Sequence, residues 1–147
     1  MREGEELPIV EKLVTQAQIE KYAAASGDFN PIHLDPEFAA SSQFGGTIAH
    51  GMMIAAAISE AMTTAFKTAW PSGGRLKLRF KAPVFPGEKV TTFGEVKKVR
   101  ERDDGREVVC SVGVRKPDGS AAITGEAAVL IPPAQQTKNM ATSHMSI

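Results

Sequence analysis

The feature that most constrains this fold is an apolar segment near the middle of the chain, residues 50–69. Its alanines and methionines occur on every side of a helical projection, which predicts a long helix that the rest of the chain covers all round. Glu60, Lys67 and several threonines make the segment too polar to span a bilayer. The sequence therefore predicts a buried central helix, and the Gly45-Gly46 pair separates it from the helix before it.

The second half of the chain supplies the cover, because it is built of strand-like runs. Four of them follow the helix, at residues 75–85, 88–101, 106–116 and 120–131. Asp-Asp-Gly at 103–105 and Pro-Asp-Gly at 117–119 are typical of hairpin turns between the last three. Residues 7–14 add an opening strand. The predicted fold class is α+β, a five-stranded, largely antiparallel sheet wrapped around a long central helix.

Helix-start signals organise the segment before the central helix. Thr15 and Gln18 form a capping-box pattern at the start of residues 15–26, and Gly27 is placed to end this helix. The Asp-Pro pair at 35–36 predicts a second helix start, with the acid as N-cap and proline at the first helical position. Two helices are therefore expected before the central one.

Composition bounds the class of protein. The 17 Lys and Arg residues balance the 17 Asp and Glu residues, so the chain has no overall attraction to nucleic acid or to an anionic membrane. We assign a single domain to residues 1–133 and a C-terminal tail without periodicity to residues 134–147. The single cysteine, Cys110, and a charged N-terminus without an apolar run predict a cytoplasmic protein.

The stretch "SGDFNPIHLDP", residues 26–36, gathers the most reactive side chains of the sequence. Pro31 prevents a continuous helix, so Asp28 and His33 stand at either end of a kinked segment and can point at one place. An acid and an imidazole that share one water are suited to adding or removing water at a polarised double bond. On composition alone, a turn residue and a packing histidine remain the favoured interpretation.

Two other chemistries for this stretch are weaker. His33 with Asp35, or with His50, offers metal ligands, but no Cys or Glu cluster completes a coordination shell. A serine hydrolase triad built on Ser26 lacks the strand-turn-helix elbow that exposes such a nucleophile. Neither a metal site nor a serine nucleophile is therefore predicted.

The stretch "TIAHGMM", residues 47–53, places Gly51 at the start of the central helix. Free backbone N–H groups and the positive end of the helix dipole favour negative charge there, and glycine allows a substrate oxygen to approach closely. A glycine required only for tight packing is the alternative. Together with the acid and the imidazole, an oxyanion site completes the set required to hydrate an enoyl thioester.

Four cations alternate along the strand that follows the central helix. Period-two spacing puts them on one face of the strand: Arg75, Lys77, Arg79 and Lys81. A solvated outer face of the sheet explains them as well as a contact for coenzyme A phosphates or for an acidic carrier protein does.

A longer segment, "SGDFNPIHLDPEFAASSQFGGTIAHGM", resembles the signature of R-specific enoyl-CoA hydratases and of the wider MaoC-like dehydratase family. The resemblance continues through "LRFKAPVFPGEKV" and "ITGEAAVLIP" and covers about residues 7–133. It implies the hot dog fold, a homodimer, and a substrate that is an acyl-CoA or acyl carrier protein thioester. It also implies that no metal and no organic cofactor is required.

The resemblance assigns roles to particular residues. Asp28 and His33 would be the catalytic pair, Asn30 would orient them, and Gly51 would donate its N–H to the thioester oxygen. The positions that correspond to the substrate-binding acyl pocket are Ser59, Met62 and Ala128.

Two rival functions remain at this level. One is a hot dog thioesterase, which generally presents an acid on the central helix; Glu60 is available but lies well past the first turn. The other is a non-catalytic acyl-CoA-binding subunit of a heterodimeric dehydratase, against which the intact Asp28 and His33 pair argues.

Overall fold

The structure, a computed structural model, describes residues 1–133, and the predicted tail lies outside the described residues. The strands are β1 (Glu11–Leu13), β2 (Gly74–Phe80), β3 (Lys89–Arg102), β4 (Gly105–Arg115) and β5 (Ala121–Ile131). The helices are α1 (Gln16–Ser26), α2 (Pro31–Leu34), α3 (Pro36–Ala40), α4 (Gly51–Phe66) and α5 (Ala69–Gly73). The strands form one sheet in the order β1-β3-β4-β5-β2, and every pairing is antiparallel. The predicted α+β class and five-stranded sheet are confirmed.

Two glycine-containing turns set the register of the long strands. β3 and β4 meet at a turn over Asp103 and Asp104, and Gly119, with φ of 89°, lies in the turn between β4 and β5. Positive φ is readily adopted by glycine only, which explains its place there. These turns join β3, β4 and β5 in sequence, and β4 and β5 are the most buried strands of the sheet.

Helix α4 packs one side on the sheet and leaves the other side open. Its buried face includes Ile54, Ile58 and Met62, and it packs on sheet residues such as Val108, Cys110 and Val129. Met52, at 61% exposure, lies on the open side. The prediction that α4 is covered all round is therefore wrong for the single chain, because one sheet layer can cover only one side of a helix.

Both ends of α4 differ from the prediction in detail. It begins at Gly51, with His50 as N-cap, and ends at Phe66 rather than near residue 69. Lys67 has φ of 53°, which breaks the helical path, and the short α5 follows. Within residues 1–133, no helix combines the length and the apolar character that a bilayer crossing requires.

The helices before α4 start where the caps predicted. Thr15 and Gln18 form the capping box of α1, and Gly27, with φ of 80°, ends it. The Asp35 side chain accepts hydrogen bonds from two backbone N–H groups at the start of α3. The sequence does not predict α2, because a proline within a segment is expected to break a helix, whereas Pro31 occupies the first position of this one.

Candidate active site

The loop between α1 and α2 positions Asp28 through local hydrogen bonds. The Asn30 side chain caps α2 by accepting from the N–H of Ile32 at 3.0 Å, and the Asn30 N–H donates to Asp28 Oδ1 at 3.2 Å. The second oxygen, Asp28 Oδ2, is left to face His33. Asn30 thus lies where a residue that orients the pair would lie.

His33 is held in one orientation by its ring nitrogen Nδ1. This atom lies 2.7 Å from the carbonyl oxygen of Ile48, and because a carbonyl only accepts, Nδ1 carries the hydrogen. In the neutral ring Nε2 is therefore bare. It lies 3.8 Å from Asp28 Oδ2, which is too long for a direct hydrogen bond but allows one water to contact both atoms.

The two members of the pair differ in exposure. The His33 side chain is 11% exposed and the Asp28 side chain is 53% exposed. The main chain of His33 is also fixed, since its carbonyl accepts from the Gln16 side chain of α1 at 2.8 Å. A rigid imidazole therefore faces a carboxylate that is open to solvent.

Gly51 is the first residue of α4, and its N–H has no hydrogen-bond partner among residues 1–133. The N–H points out of a helix start, where the dipole favours negative charge. A Cβ at Gly51 would lie 2.8 Å from the ring of Phe80 at the end of β2, so this position has no room for a side chain unless that ring moves. The geometry suits an approaching carbonyl oxygen.

One cavity borders both His33 and Gly51, and Asp28 lies beside it next to His33. It has a volume of about 400 Å³ and is lined mainly by apolar residues together with His33 and Gly51. We name it the dyad cavity; its other walls include Phe44, Ile48, Ile54, Phe80 and Ile123. Its volume lies within the range of small-ligand sites.

The three predicted acyl-pocket residues do not line the dyad cavity. Ser59 is partly buried on α4, and Met62 is fully buried in the core. Ala128 faces the other side of the sheet, where it lines a groove with Arg75 and Lys77. Their part in binding an acyl chain stays a prediction.

The alternating cations divide between two surfaces. Arg75 and Lys77 line the outer groove, and Arg75 contacts the buried Glu107 carboxylate at 2.7 Å. Lys81 instead lines the dyad cavity. Only the last of the four therefore lies beside the candidate site.

A residue that sequence reasoning considered only as a metal ligand, His50, belongs to the same cluster. It is 3% exposed, and its ring stacks on that of His33 with centroids 3.8 Å apart and planes inclined by 23°. Its Nε2 lies 3.0 Å from the main-chain carbonyl of Asp28. The sequence signal was its place directly before Gly51, but a ring stack across 17 positions is tertiary information.

The stack also decides between an acid/base site and a metal site. Asp28, His33 and His50 bring one ligand atom each within 4.8 Å of one another. A metal must lie near the plane of each imidazole at about 2.0–2.1 Å from nitrogen. Two rings stacked this closely have planes that meet far beyond that distance. The arrangement does not suit a shared metal ion.

Cys110 offers no alternative nucleophile. It is fully buried in the core on β4, and burial raises the pKa of its thiol to about 11. The thiolate is the nucleophilic form of cysteine, so a raised pKa makes this thiol inert.

Comparison with known proteins gives consistent results. A family model described as the MaoC-like domain matches residues 3–116. The (R)-specific enoyl-CoA hydratase of Aeromonas caviae is 38% identical over 120 residues, which are 79% of this chain and 85% of that protein. A 3-hydroxybutyryl-CoA dehydratase of Methylorubrum extorquens is 34% identical over 139 residues, 90% of this chain and 83% of that protein. Among solved structures, an (R)-hydratase from A. caviae superposes with a TM-score of 0.77 and 34% identity, covering 90% of this chain and 98% of that one.

Proposed function

Because the chain belongs to the MaoC-like dehydratase family, we propose that Asp28, His33 and Gly51 carry out the hydration of an enoyl thioester. The protein is a hydro-lyase of this class: it adds water reversibly to trans-2-enoyl thioesters and forms (R)-3-hydroxyacyl thioesters. The observation that carries the residue assignment is that His33, with Asp28 beside it, and the free Gly51 N–H border one cavity.

The proposed reaction uses both members of the pair on one water. The Asp28 carboxylate takes a proton from water as the oxygen bonds to C3, and electrons move through the double bond to the thioester oxygen. The Gly51 N–H stabilises that developing negative charge. His33 then gives a proton to C2, and the enolate collapses to the hydroxyacyl thioester.

The tautomer of His33 limits how it can act. Since Nδ1–H donates to Ile48, only the imidazolium has a hydrogen on Nε2 to give. The Asp28 carboxylate lies 3.8 Å from that nitrogen. After turnover, the proton on Asp28 returns to His33.

Two observations argue against a thioesterase. Glu60, the acid on the central helix, pairs with Lys12 at 2.9 Å and borders a different cavity. Cys110 is a buried, inert thiol. A non-catalytic binding subunit is opposed by the paired Asp28 and His33 side chains.

Crotonyl-CoA tests the proposal directly. Loss of enoyl absorbance without release of free thiol is the expected result, and chiral analysis of the product should give the R isomer. Thiol release at the rate of absorbance loss would indicate a thioesterase instead. No change in either signal, with the protein folded and binding the thioester, would indicate a binding subunit.

The carrier and the assembly are further parts of the proposal. Coenzyme A or acyl carrier protein would bring the acyl group, without metal or other cofactor, and we expect a cytoplasmic location. We also expect a homodimer with a continuous sheet, since β2 is an edge strand whose Leu76 and Phe80 side chains are exposed at 36% and 54%. Light scattering measures the mass, and a panel of enoyl thioesters measures carrier and chain length.

A further inference from the structure

His50 contacts every part of the candidate site, although it does not border the dyad cavity. It lies directly before Gly51, its ring stacks on His33, and its Nε2 is 3.0 Å from the Asp28 carbonyl. We propose that His50 is a positioning residue, which holds the Asp28 main chain and the His33 ring at their working separation. This inference rests on the proposed function of the site.

The hydrogen bond from His50 is the long-range anchor of Asp28. The other hydrogen bonds of Asp28 involve Ser26, the last residue of α1, and Asn30, both within two positions in the chain. His50 is 22 positions away, on the rigid start of α4. Among the hydrogen bonds of Asp28 within residues 1–133, this is the one that reaches the start of α4. Without it, the bonds of Ile32 and His33 to Ile48 would still hold the segment near α4, but Asp28 itself would have no bond to that helix start.

The stack gives His33 its second constraint. The bond from Nδ1 to the Ile48 carbonyl fixes the direction of the His33 ring within its plane. The His50 ring, 3.8 Å away, blocks displacement along the normal of that plane. Tyr22 of α1 supports His50 in turn, with ring centroids 4.8 Å apart. His33 Nε2 can therefore point in one direction only.

The protonation of His50 excludes a direct part in the reaction. The Asp28 carbonyl only accepts, so Nε2 carries the hydrogen and Nδ1 of the neutral ring is bare. Nδ1 is buried and has no hydrogen-bond partner among residues 1–133. His50 is not among the residues that line the dyad cavity. Its influence must pass through Asp28 and His33.

Three substitutions separate the hydrogen bond from the rest of the side chain. His50→Gln places an amide N–H close to the position of Nε2 and can still donate to the Asp28 carbonyl. His50→Asn carries the same amide one methylene shorter, out of reach, and asparagine is favoured at an N-cap. His50→Phe keeps a ring on His33 but has no donor.

With crotonyl-CoA as substrate, we expect His50→Asn and His50→Phe to lower kcat by about 10–100-fold, since a misplacement of about 1 Å can cost about 10². KM should change by less than about twofold, because His50 does not border the cavity. His50→Gln keeps the donor to Asp28 but loses the ring on His33, so its kcat should lie between that of wild type and that of His50→Asn. In an Asp28→Asn background, His50→Asn should have less than its full effect, because part of the influence of His50 acts through Asp28.

Several outcomes would overturn this proposal. One is wild-type kcat in His50→Asn. Another is an equal loss of kcat in His50→Gln and His50→Asn, together with an equal fall in their melting temperatures. That result would mean that His50 serves only in packing. A full additional loss in the Asp28→Asn background would likewise reject a route through Asp28. A wild-type protein that leaves crotonyl-CoA unchanged would instead refute the proposed function itself.

Discussion

Two cavities of similar size lie along the first half of α4, and only one contains reactive groups. The dyad cavity has a volume of about 400 Å³, and a second cavity, between α4 and α1, has about 450 Å³. We name the second the α1 cavity; it is lined by Gln18, Tyr22 and Glu60 among others. Ile54 borders both. Size and apolar lining are therefore common to the two cavities.

The difference between them lies in which polar groups they meet. The dyad cavity meets the start of α4, where the Gly51 N–H has no hydrogen-bond partner among residues 1–133, and it borders His33, whose Nε2 lies beside Asp28. The α1 cavity meets the body of the helix, where backbone groups bond to one another, and its Lys12 and Glu60 neutralise each other at 2.9 Å. The helix start and the Asp28 and His33 pair therefore distinguish the candidate active site. The presence of a cavity alone does not.

The largest expected effect on kcat comes from replacing an ionisable side chain by an amide side chain beside each cavity. Asp28→Asn and His33→Gln should each lower kcat at least about a hundredfold, because general acid/base groups contribute about 10²–10⁴. Glu60→Gln, the matched change in the α1 cavity, should leave kcat unaltered. Steady-state kinetics with crotonyl-CoA measures all three. Comparable losses in Glu60→Gln and Asp28→Asn would remove the distinction.

The double variant tests whether the pair acts on one water. Its loss should be far smaller than the product of the two single losses, since either substitution already stops the shared step. Independent, multiplying losses would assign Asp28 and His33 to separate steps. Unchanged melting temperatures would exclude unfolding as the cause.

The next effect on kcat tests the Gly51 N–H as a hydrogen-bond donor. Gly51→Ala and Gly51→Pro introduce the same Cβ, which must displace the Phe80 ring, but only proline removes the N–H. Proline is accepted at the first helical position, and His50, at φ −63° and ψ 134°, already has a conformation that precedes proline well. The proline variant should have a kcat about 10²–10³ below that of the alanine variant. Equal rates would show that Gly51 is needed only for space.

A smaller effect concerns Met62, a core residue of α4 that lines neither cavity. Met62 is fully buried, so Met62→Ala should lower the free energy of unfolding by about 2–5 kcal/mol. If the acyl chain reaches this residue, the same variant should also raise kcat/KM for C8 relative to C4 thioesters. Denaturant unfolding and a chain-length series provide the two measurements. Lower stability with an unchanged ratio would make Met62, and Ser59 beside it, ordinary core residues.

The smallest effect belongs to the ion pair of the α1 cavity. Lys12 and Glu60 are both half exposed, so Lys12→Met should alter the free energy of unfolding by no more than about 1 kcal/mol. The kinetics of hydration should be unchanged. A marked fall in kcat would connect the α1 cavity to the reaction and end the contrast between the cavities.

The sequence predicted those parts of the molecule that local rules determine. The capping box at Thr15, the stop at Gly27 and the cap at Asp35 depend on neighbouring residues and are confirmed. The alternation of the late strands and their turns likewise predicted the confirmed sheet. The segment with Asp28 and His33 was recognisable by motif, and the two side chains do lie together.

What the sequence missed depends on contacts between distant residues. Ala128 illustrates this, because its neighbours Ala127 and Val129 are fully buried whereas Ala128 points to the outer face of the sheet. Successive strand residues face opposite sides, so one position decides which surface a side chain joins. The stack of His50 on His33 was equally hidden, since nothing local specifies which rings will meet.

The unequal exposure of the acid/imidazole pair has a consequence for the fate of substrate hydrogen. In dehydration His33 takes the hydrogen from C2, and its side chain is only 11% exposed, whereas that of Asp28 is 53% exposed. We therefore expect the hydrogen on His33 to return to C2 faster than it exchanges with bulk water. In D₂O, a hydroxyacyl thioester recovered early in the reaction should carry little deuterium at C2, as mass spectrometry would measure. Early deuterium at C2 would mean that the hydrogen on His33 exchanges with solvent before it is returned.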